Sequence, residues 1–302
     1  MRTIGFIGTG NMGGALARAV VKGYAPCRIL LANRGREKAQ ALALDLQAAA
    51  ESFYNFGPEA DPSLPPYKGE EVPVVVEICD NARVAAEADY IFLGVKPQMM
   101  AGMMEGIAPI LKSRLESASE GSGASVPVLI TMAAALTMEQ ISGMAGGSFP
   151  VIRIMPNTPV SVGKGVILYT RNALVTEDML AEFLAFLREG GRLAPLPEHL
   201  IDAGSSVSGC GPAFVYMFIE ALADGGVACG LPRRDAMTFA AQMVAGSAEL
   251  VLSSGKHPGE LKDAVCSPGG TTIQGVRMLE EAGFRGAVMD AVIAAYEKNK
   301  NF

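Results

Sequence analysis

The sequence predicts an α/β domain built on a mostly parallel sheet over residues 1–197, followed by an all-α domain over residues 198–302. Two observations predict this division. In the first part, short and almost continuous apolar runs alternate with helical stretches, which is the pattern of a parallel sheet covered on both faces. From Leu200 onward no strand-like run bounded by turns occurs, and long amphipathic stretches follow one another. A chain of 302 residues is long enough for two domains.

The elements of the first domain follow from these runs in chain order. The predicted strands are short apolar segments, at 3–7, 28–32, 72–78, 90–95, 128–132, 151–155 and 165–169. The predicted helices show helical periodicity, at 11–22, 37–50 and 82–88. Residues 51–71 are rich in proline and residues 113–126 are rich in Ser, Gly and Glu, so both are predicted to be surface loops.

The second domain is predicted to consist of amphipathic helices only. Gly230 fits the end of one helix and Pro232 the start of the next. Small residues are frequent in these helices and permit close packing, so we expect contact between subunits, with a self-contained helical bundle as the alternative. The predicted helices lie at about 212–229, 233–254, 258–265, 271–283 and 285–299.

Composition excludes several classes of function. The net charge of −6 argues against a nucleic-acid partner, because such binding needs clustered Lys and Arg. Five cysteines without CxxC spacing indicate reduced thiols in a cytoplasmic protein, and two isolated histidines suggest no metal site. No signal-peptide pattern is visible, and the apolar run 212–223 is too short to span a bilayer, so we expect no membrane partner.

A glycine-rich loop directly follows the first predicted strand and opens the first predicted helix. In this context the GxGxxG pattern predicts a dinucleotide-binding, Rossmann-like domain. Gly8 permits the tight turn, Gly10 leaves room for the pyrophosphate, and Gly13 lets the helix approach the strand. The helix N-terminus then offers free N–H groups to the phosphates. The residues of this loop, all assigned to cofactor binding, are Gly8, Thr9, Gly10, Asn11, Met12 and Gly13.

The end of the second predicted strand indicates which cofactor is preferred. NAD-specific domains place an acidic residue there to hold the ribose 2′-hydroxyl. This strand instead ends in Asn33, Arg34, Gly35 and Arg36, and a guanidinium group suits a 2′-phosphate. We therefore expect NADP(H) as the preferred cofactor and NAD(H) as a secondary one. The alternative is that both arginines are solvated surface residues.

Two further strand ends carry motifs that suit a ligand crevice, which in such sheets lies at the carboxyl ends of the strands. Lys96 could meet a phosphate or a ribose hydroxyl, or it could be a surface lysine at a turn. Asn157 stands between two prolines that hold it rigidly, and we assign it to the cofactor, with a merely stiff connection as the alternative. The cofactor residues of the first motif are Gly94, Val95, Lys96 and Pro97.

The second domain contains a glycine- and threonine-rich turn at a predicted helix start, residues 267–272. Its exposed backbone N–H groups and hydroxyls suit a carboxylate, although an ordinary capped helix start is the alternative. No nucleophile–base pair of a known motif is present. A reductase does not need one, because the nicotinamide cofactor carries the chemistry.

Together these motifs resemble the pyrroline-5-carboxylate reductase family, from residue 4 to about residue 290. The segments 51–71 and 113–126 exceed the usual length in that family. The motifs that carry the resemblance are 5–13 (GFIGTGNMG), 95–97 (VKP), 155–159 (MPNTP), 208–214 (SGCGPAF), 221–227 (ALADGGV), 257–263 (HPGELKD) and 267–273 (SPGGTTI).

The resemblance implies a Rossmann-like domain joined to a helical dimerisation domain, in a homodimer or a higher oligomer built from dimers. It implies hydride transfer from NADPH to the imine carbon of 1-pyrroline-5-carboxylate, giving L-proline in the last step of proline biosynthesis. Asn81 matches a contact to the adenosine half of the cofactor, and Asn33 and Arg34 match the NADP-type version of the family. The implied substrate residues are Ser267, Gly269, Gly270, Thr271 and Thr272, with the hydroxyl of Thr272 near the imine nitrogen as the catalytic group.

Two other functions are compatible with parts of the pattern. A β-hydroxyacid dehydrogenase would carry a catalytic lysine on the first long helix of the second domain, and the segment 211–220 contains no lysine. A non-catalytic NADP-binding or regulatory protein would not need the 267–272 turn. An assay with NADPH and pyrroline-5-carboxylate distinguishes all three.

Overall fold

The computed structural model describes residues 1–24, 26–56, 74–119 and 125–300. The chain forms two compact units, one comprising Met1–Gly209 together with Asn299 and Lys300, and the other Cys210–Lys298. Residues 201–208 form a helix that packs on two strands of the first unit. The compact units therefore divide after Gly209, whereas the predicted domains divide after residue 197.

The first unit contains one eight-stranded sheet, in the order β3-β2-β1-β4-β5-β6-β7-β8. Neighbouring strands from β3 to β6 are parallel, β7 is antiparallel to β6, and β8 is parallel to β7. This confirms the mostly parallel sheet of a Rossmann-like domain. The strands are β1 (Arg2–Ile7), β2 (Cys27–Ala32), β3 (Val74–Cys79), β4 (Tyr90–Leu93), β5 (Val128–Thr131), β6 (Val151–Pro156), β7 (Gly165–Arg171) and β8 (Gly191–Pro195).

Helices cover both faces of the sheet, as the apolar strands require. One core holds β-strand side chains such as Phe6 and Phe92 against α1, α2 and α6, and the other holds Ile7 and Leu93 against α3, α4 and α5. Gly5 brings α3 close to β1, because a side chain there would lie 2.4 Å from a methyl carbon of Val84. The helices are α1 (Asn11–Gly23), α2 (Arg36–Phe56), α3 (Asn81–Glu87), α4 (Pro97–Ser119), α5 (Met138–Met144), α6 (Glu177–Leu187) and α7 (Ile201–Ser208).

The prediction of two surface loops is wrong in part. Residues 51–56 continue α2 and residues 113–119 continue α4, while 57–71 and 120–124 lie outside the described residues. The end of α4 is held by tertiary contacts, since Arg114 donates to the carbonyls of Ala85 (2.9 Å) and Ala88 (2.8 Å) and Leu115 packs against the core. A composition rich in Ser and Glu does not reveal such contacts.

Ala135, in the turn after β5, has a left-handed backbone with φ of 62°. This conformation costs a non-glycine residue about 1–2 kcal/mol, while glycine adds about 0.4–1 kcal/mol of unfolded-state entropy. Ala135→Gly is therefore expected to raise the free energy of unfolding by about 0.5–1 kcal/mol, measured by denaturant unfolding. Ala134→Gly is the matched control and is expected to lower it. A loss of stability in Ala135→Gly equal to that of the control would contradict the prediction.

The second unit is all-helical, which confirms the predicted class, and its helix bounds agree with the prediction to within a residue or two. Its buried core is small, with Ala223, Ala236 and Ala240 packed by Ile219 and Val227. Large apolar side chains elsewhere on these helices are exposed within the single chain, which suits a subunit interface. The helices are α8 (Gly211–Ala228), α9 (Arg233–Ser254), α10 (Pro258–Ala264), α11 (Thr271–Glu281) and α12 (Phe284–Lys300).

Within the described part of the chain, two helical stretches are long and apolar enough, by length and composition alone, to cross a membrane. They are Glu198–Ala228 and Arg233–Ser254, and the first extends well beyond the apolar run 212–223. Apolar helices of a subunit interface meet the same criteria. The expected absence of a membrane partner therefore stays a prediction.

Candidate active site

An open cleft of about 880 Å³ lies at the carboxyl ends of β1, β2, β3 and β4. Parallel α/β sheets bind their ligands at this edge. The cleft brings together residues that are far apart in the sequence and that the sequence analysis assigned to the cofactor. These shared residues are Gly8, Gly10, Asn33, Arg34, Asn81, Gly94 and Val95.

The glycine loop is shaped by contacts that exclude side chains. Gly8 has φ of +91°, and a Cβ there would lie 2.8 Å from the carbonyl group of Gly94. A Cβ on Gly13 would lie 2.6 Å from the carbonyl oxygen of Gly8. Gly10 differs, because an added Cβ would meet no described atom within 4 Å. Packing therefore explains why glycine is needed at positions 8 and 13, whereas the space next to Gly10 is open to a ligand.

The start of α1 suits the pyrophosphate of a dinucleotide. Gly10 is the N-cap, and among the described residues no side chain caps the helix and no acidic residue lies in its first turn. The Thr9 hydroxyl oxygen is buried without a hydrogen-bond partner in the described chain. Buried hydroxyls normally have a partner, and a phosphate group at this loop would provide one. The loop therefore fits the dinucleotide that its sequence predicted.

Arg34 and Asn33 line the cleft after β2, as predicted. The Asn33 side chain donates to the carbonyl of Gly35 at 3.2 Å, which holds the turn in place. Neither Arg34 nor Arg36 forms an ion pair with any described residue, although most other arginines of the unit do. Arg34 can therefore be offered to an anionic group of the cofactor, whereas Arg36 begins α2 and does not line the cleft.

The N-terminus of α3 contributes Asp80 and Asn81 to the cleft. Asp80 caps the helix by accepting a hydrogen bond from the backbone N–H of Arg83 at 2.8 Å. A ring of ion pairs anchors this helix to the sheet: Glu77 accepts from Arg28 (2.6 Å) and Arg83 (2.7 Å), and Glu87 binds the same two arginines. The hydrogen bond from Arg28 lowers the pKa of Glu77.

Part of this cleft was not predicted from the sequence. Cys79 ends β3 and Asp80 follows it, and burial raises the pKa of the Cys79 thiol. Most of the other new residues lie on α4, a helix that was not predicted from the sequence, and the rest are Ile7, Ala32 and Ala82. The apolar residues and glycines at spacings of four along residues 98–107 were the signal that could have revealed this wall.

Several predicted cofactor residues do not line the cleft. Lys96 is exposed, Pro97 begins α4, and Met12 packs against the core. Asn157 is buried, and its amide is used internally: it donates to the carbonyl of Ser208 (2.9 Å) and accepts from the N–H of Val166 (2.8 Å). These contacts hold the turn between β6 and β7. The assignment of these residues to the cofactor stays a prediction.

The turn at 267–272 lies in the second unit and shows an uncapped helix start. Gly270 is the N-cap of α11, and no described side chain caps it, which contradicts the alternative of a Ser- or Thr-capped start. Gly269 has φ of +70°, and a Cβ on Gly270 would lie 2.3 Å from the Ser267 hydroxyl. Thr271 and Thr272 are exposed in the first turn. The Gly270 N–H donates to the Ser267 carbonyl at 3.0 Å, and the N–H groups of Thr271 and Thr272 are available to an anion.

Metal and disulfide chemistry have no visible basis in the described residues. No group of three or more His, Cys, Asp or Glu side chains is arranged to hold a metal ion there. All five cysteines are free, and Cys210 and Cys266, beside the two glycine-rich turns, are partly buried.

Comparison with known proteins covers nearly the whole chain. A family described as pyrroline-5-carboxylate reductase dimerisation matches residues 198–302, and one described as NADP oxidoreductase coenzyme F420-dependent matches residues 3–115. The chain is 38% identical to the pyrroline-5-carboxylate reductase of Escherichia coli (99% of this chain, 97% of the relative) and 36% identical to that of Glycine max (99% and 95%).

Solved structures agree with these relatives. The pyrroline carboxylate reductase of Plasmodium falciparum with NADP bound is 28% identical, with a TM-score of 0.76 over 99% of this chain and 97% of the other. The 1-pyrroline-5-carboxylate reductase of Streptococcus pyogenes is 25% identical, with a TM-score of 0.78 over 99% and 98%. The chain belongs to the pyrroline-5-carboxylate reductase family.

Proposed function

We propose that the protein reduces 1-pyrroline-5-carboxylate to L-proline with NADPH, the last step of proline biosynthesis. The observation that carries this proposal is the cleft that joins an uncapped glycine loop to Arg34 at the carboxyl edge of the sheet, in a chain of this family. That edge offers backbone donors for a pyrophosphate and a guanidinium for a 2′-phosphate. NADPH, when bound, supplies the hydride that adds to the imine carbon.

The residues of the second unit are proposed to hold the substrate. The uncapped first turn of α11 binds the carboxylate through the backbone N–H groups of Thr271 and Thr272. The Thr272 hydroxyl orients the imine nitrogen, which becomes the secondary amine of proline. The imine nitrogen is basic enough to react as its protonated form, so a dedicated strong acid is not required. Ser267 and Gly269 shape the turn.

An assay with purified protein, NADPH and pyrroline-5-carboxylate tests the activity. We expect loss of the nicotinamide absorbance together with formation of proline. Tight NADPH binding without turnover would overturn the reductase and favour a non-catalytic NADP-binding protein. Oxidation of a β-hydroxyacid with NADP⁺ would favour a β-hydroxyacid dehydrogenase, but α8 contains no lysine to act as its base.

We also propose a homodimer, or a higher oligomer built from dimers, in the cytoplasm. The match to a dimerisation family over residues 198–302 and the exposed apolar side chains of the second unit support the oligomer. Light scattering of the purified protein measures the mass, and a monomer at working concentration would contradict this proposal.

The cofactor preference leads to a prediction for Arg34 and Arg36. Replacing both by alanine is expected to raise KM for NADPH by about 10–100-fold, because hydrogen bonds to charged groups contribute about 1.5–3 kcal/mol and about 1.4 kcal/mol is tenfold. KM for NADH in the same variant is the control and is expected to change little. Steady-state kinetics measures both, and equal effects on the two cofactors would refute the contact with the 2′-phosphate.

A further inference from the structure

The short helix α10 lies directly before the turn 267–272, here called the substrate turn, and contains most of the motif 257–263 (HPGELKD). The helix has only seven residues, and within the described part of the single chain none of them is buried. A helix of this length forms poorly on its own, because starting a helix is costly and few hydrogen bonds follow. The shape of α10 therefore depends on the interactions at its two ends.

The first three residues of the motif build the start of α10. His257 is the N-cap, and its Nδ1 accepts a hydrogen bond from the backbone N–H of Gly259 at 3.0 Å. Pro258, at the first helical position, has no N–H to satisfy and has a φ that already suits a helix. A Cβ on Gly259 would lie 3.0 Å from the same Nδ1, so glycine gives the imidazole room to approach. The order His-Pro-Gly therefore forms one cap.

The other interaction at this helix start is weak. Lys256 pairs with Glu260 at 2.8 Å, but both side chains are more than half exposed. Exposed ion pairs contribute little, because water and salt screen them. The imidazole of His257 instead satisfies a backbone donor that has no acceptor within the helix. The start of α10 therefore depends mainly on His257.

The other end of α10 is joined to the substrate turn through hydrogen-bonded backbone. Only Val265 and Cys266 separate the helix from Ser267. The N–H of Val265 donates to the carbonyl of Lys262 at 3.2 Å. The N–H of Cys266 donates to the carbonyl of Asp263 at 3.0 Å. Because both linking residues are bonded back to the helix, a frayed α10 displaces the substrate turn as well.

We infer that His257 is a positioning residue for the reduction. By capping α10, it holds the substrate turn in the geometry that binds the carboxylate and presents the Thr272 hydroxyl. This inference rests on the proposed function of that turn. In this role His257 acts through the backbone and does not touch the substrate.

His257→Ala is expected to lower kcat/KM for pyrroline-5-carboxylate about fivefold, which corresponds to about 1 kcal/mol and is typical of a lost N-cap. KM for NADPH is expected to stay at the wild-type value, since the glycine loop and Arg34 belong to the first unit. Steady-state kinetics with each substrate varied in turn measures both. An unchanged kcat/KM in an active protein would overturn the inference alone. A wild-type protein without turnover would refute the proposed function, and the inference would fall with it.

His257→Asn separates the cap from the imidazole itself. Asparagine is among the best N-cap residues, so this variant is expected to keep most of the wild-type kcat/KM. If the asparagine variant loses as much activity as the alanine variant while both are folded, the imidazole acts on the substrate directly and the positioning role is wrong.

Thr176→Ala is the matched control for a purely structural effect. Thr176 caps α6, in the first unit, by accepting a hydrogen bond from the N–H of Met179 at 3.2 Å. Loss of this cap is expected to lower the thermal midpoint while kcat/KM stays at the wild-type value. An equal loss of kcat/KM in Thr176→Ala and His257→Ala, at a temperature where both are folded, would show general destabilisation and overturn the inference.

A second test uses the close approach of Gly259 to the imidazole. Gly259→Ala is expected to lower kcat/KM about two- to fivefold, because its methyl group would push the imidazole away from the N–H that it caps. In a His257→Ala background the same substitution is expected to be neutral or favourable, since alanine suits a helix better than glycine. Such a dependence on background identifies residues that act together. Equal losses in both backgrounds would contradict the shared cap.

Discussion

Gly10→Val is expected to abolish NADPH binding while leaving the protein folded. The backbone of Gly10 is extended, with φ of −70° and ψ of −170°, which valine adopts readily. A Cβ there meets no described protein atom within 4 Å, so packing does not oppose the substitution, and the expected loss of stability is that of a poorer N-cap. The same space is where the pyrophosphate is expected to approach the backbone. We expect Kd for NADPH to rise at least about a hundredfold, or about 2.7 kcal/mol.

Gly8→Ala is the opposite case and serves as the control. Gly8 has φ of +91°, and its Cβ would lie 2.8 Å from the carbonyl group of Gly94. Left-handed backbone and overpacking together are expected to lower the free energy of unfolding by about 2–5 kcal/mol. Circular dichroism melts and NADPH fluorescence titrations measure stability and binding separately. A Gly10→Val variant that is stable and binds NADPH with wild-type affinity would show that the loop does not hold the pyrophosphate.

Thr272→Ala is expected to lower kcat/KM for pyrroline-5-carboxylate about a hundredfold, with little change in NADPH binding. A positioned donor that acts in the transition state contributes about this much. The side chain is exposed in the first turn of α11 and forms no hydrogen bond with any other described residue, so the fold should not depend on it.

Thr272→Ser is the matched control, because it keeps the hydroxyl and is expected to retain most of the activity. Steady-state kinetics with each substrate varied in turn gives both kcat/KM and the KM for NADPH. Equal losses in the alanine and serine variants would show that the methyl group or the turn, and not the hydroxyl, is what matters. No loss in either variant would remove Thr272 from the active site.

The helices of the second unit and the glycine loop show what local sequence can predict. Gly230 marks the end of one helix and Pro232 the start of the next. These signals, and the helical periodicity of each segment, depend on contacts within a few residues. The loop is equally local, because its turn, its open position and its helix start lie within residues 8–13. Such features were predicted to within one or two residues.

The direction of β7, near the end of the sheet, could also have been predicted from a local feature of the sequence. Pro156 ends β6 and Gly165 begins β7, and the connection between them is too short for the crossover that parallel strands need. The antiparallel direction of β7 therefore follows from the length of this connection alone. The last strand, β8, was not predicted because it is half exposed and lacks a continuous apolar run.

The fold class of both halves, the glycine loop with its open Gly10, and the basic residues after β2 were predictable, because each depends on residues close together in the chain. Long-range contacts set which face of α4 borders the cleft, how Arg114 and Leu115 extend that helix, and the internal use of the Asn157 amide. Those outcomes depend on partners far along the chain, which hydrophobic periodicity and turn chemistry do not specify.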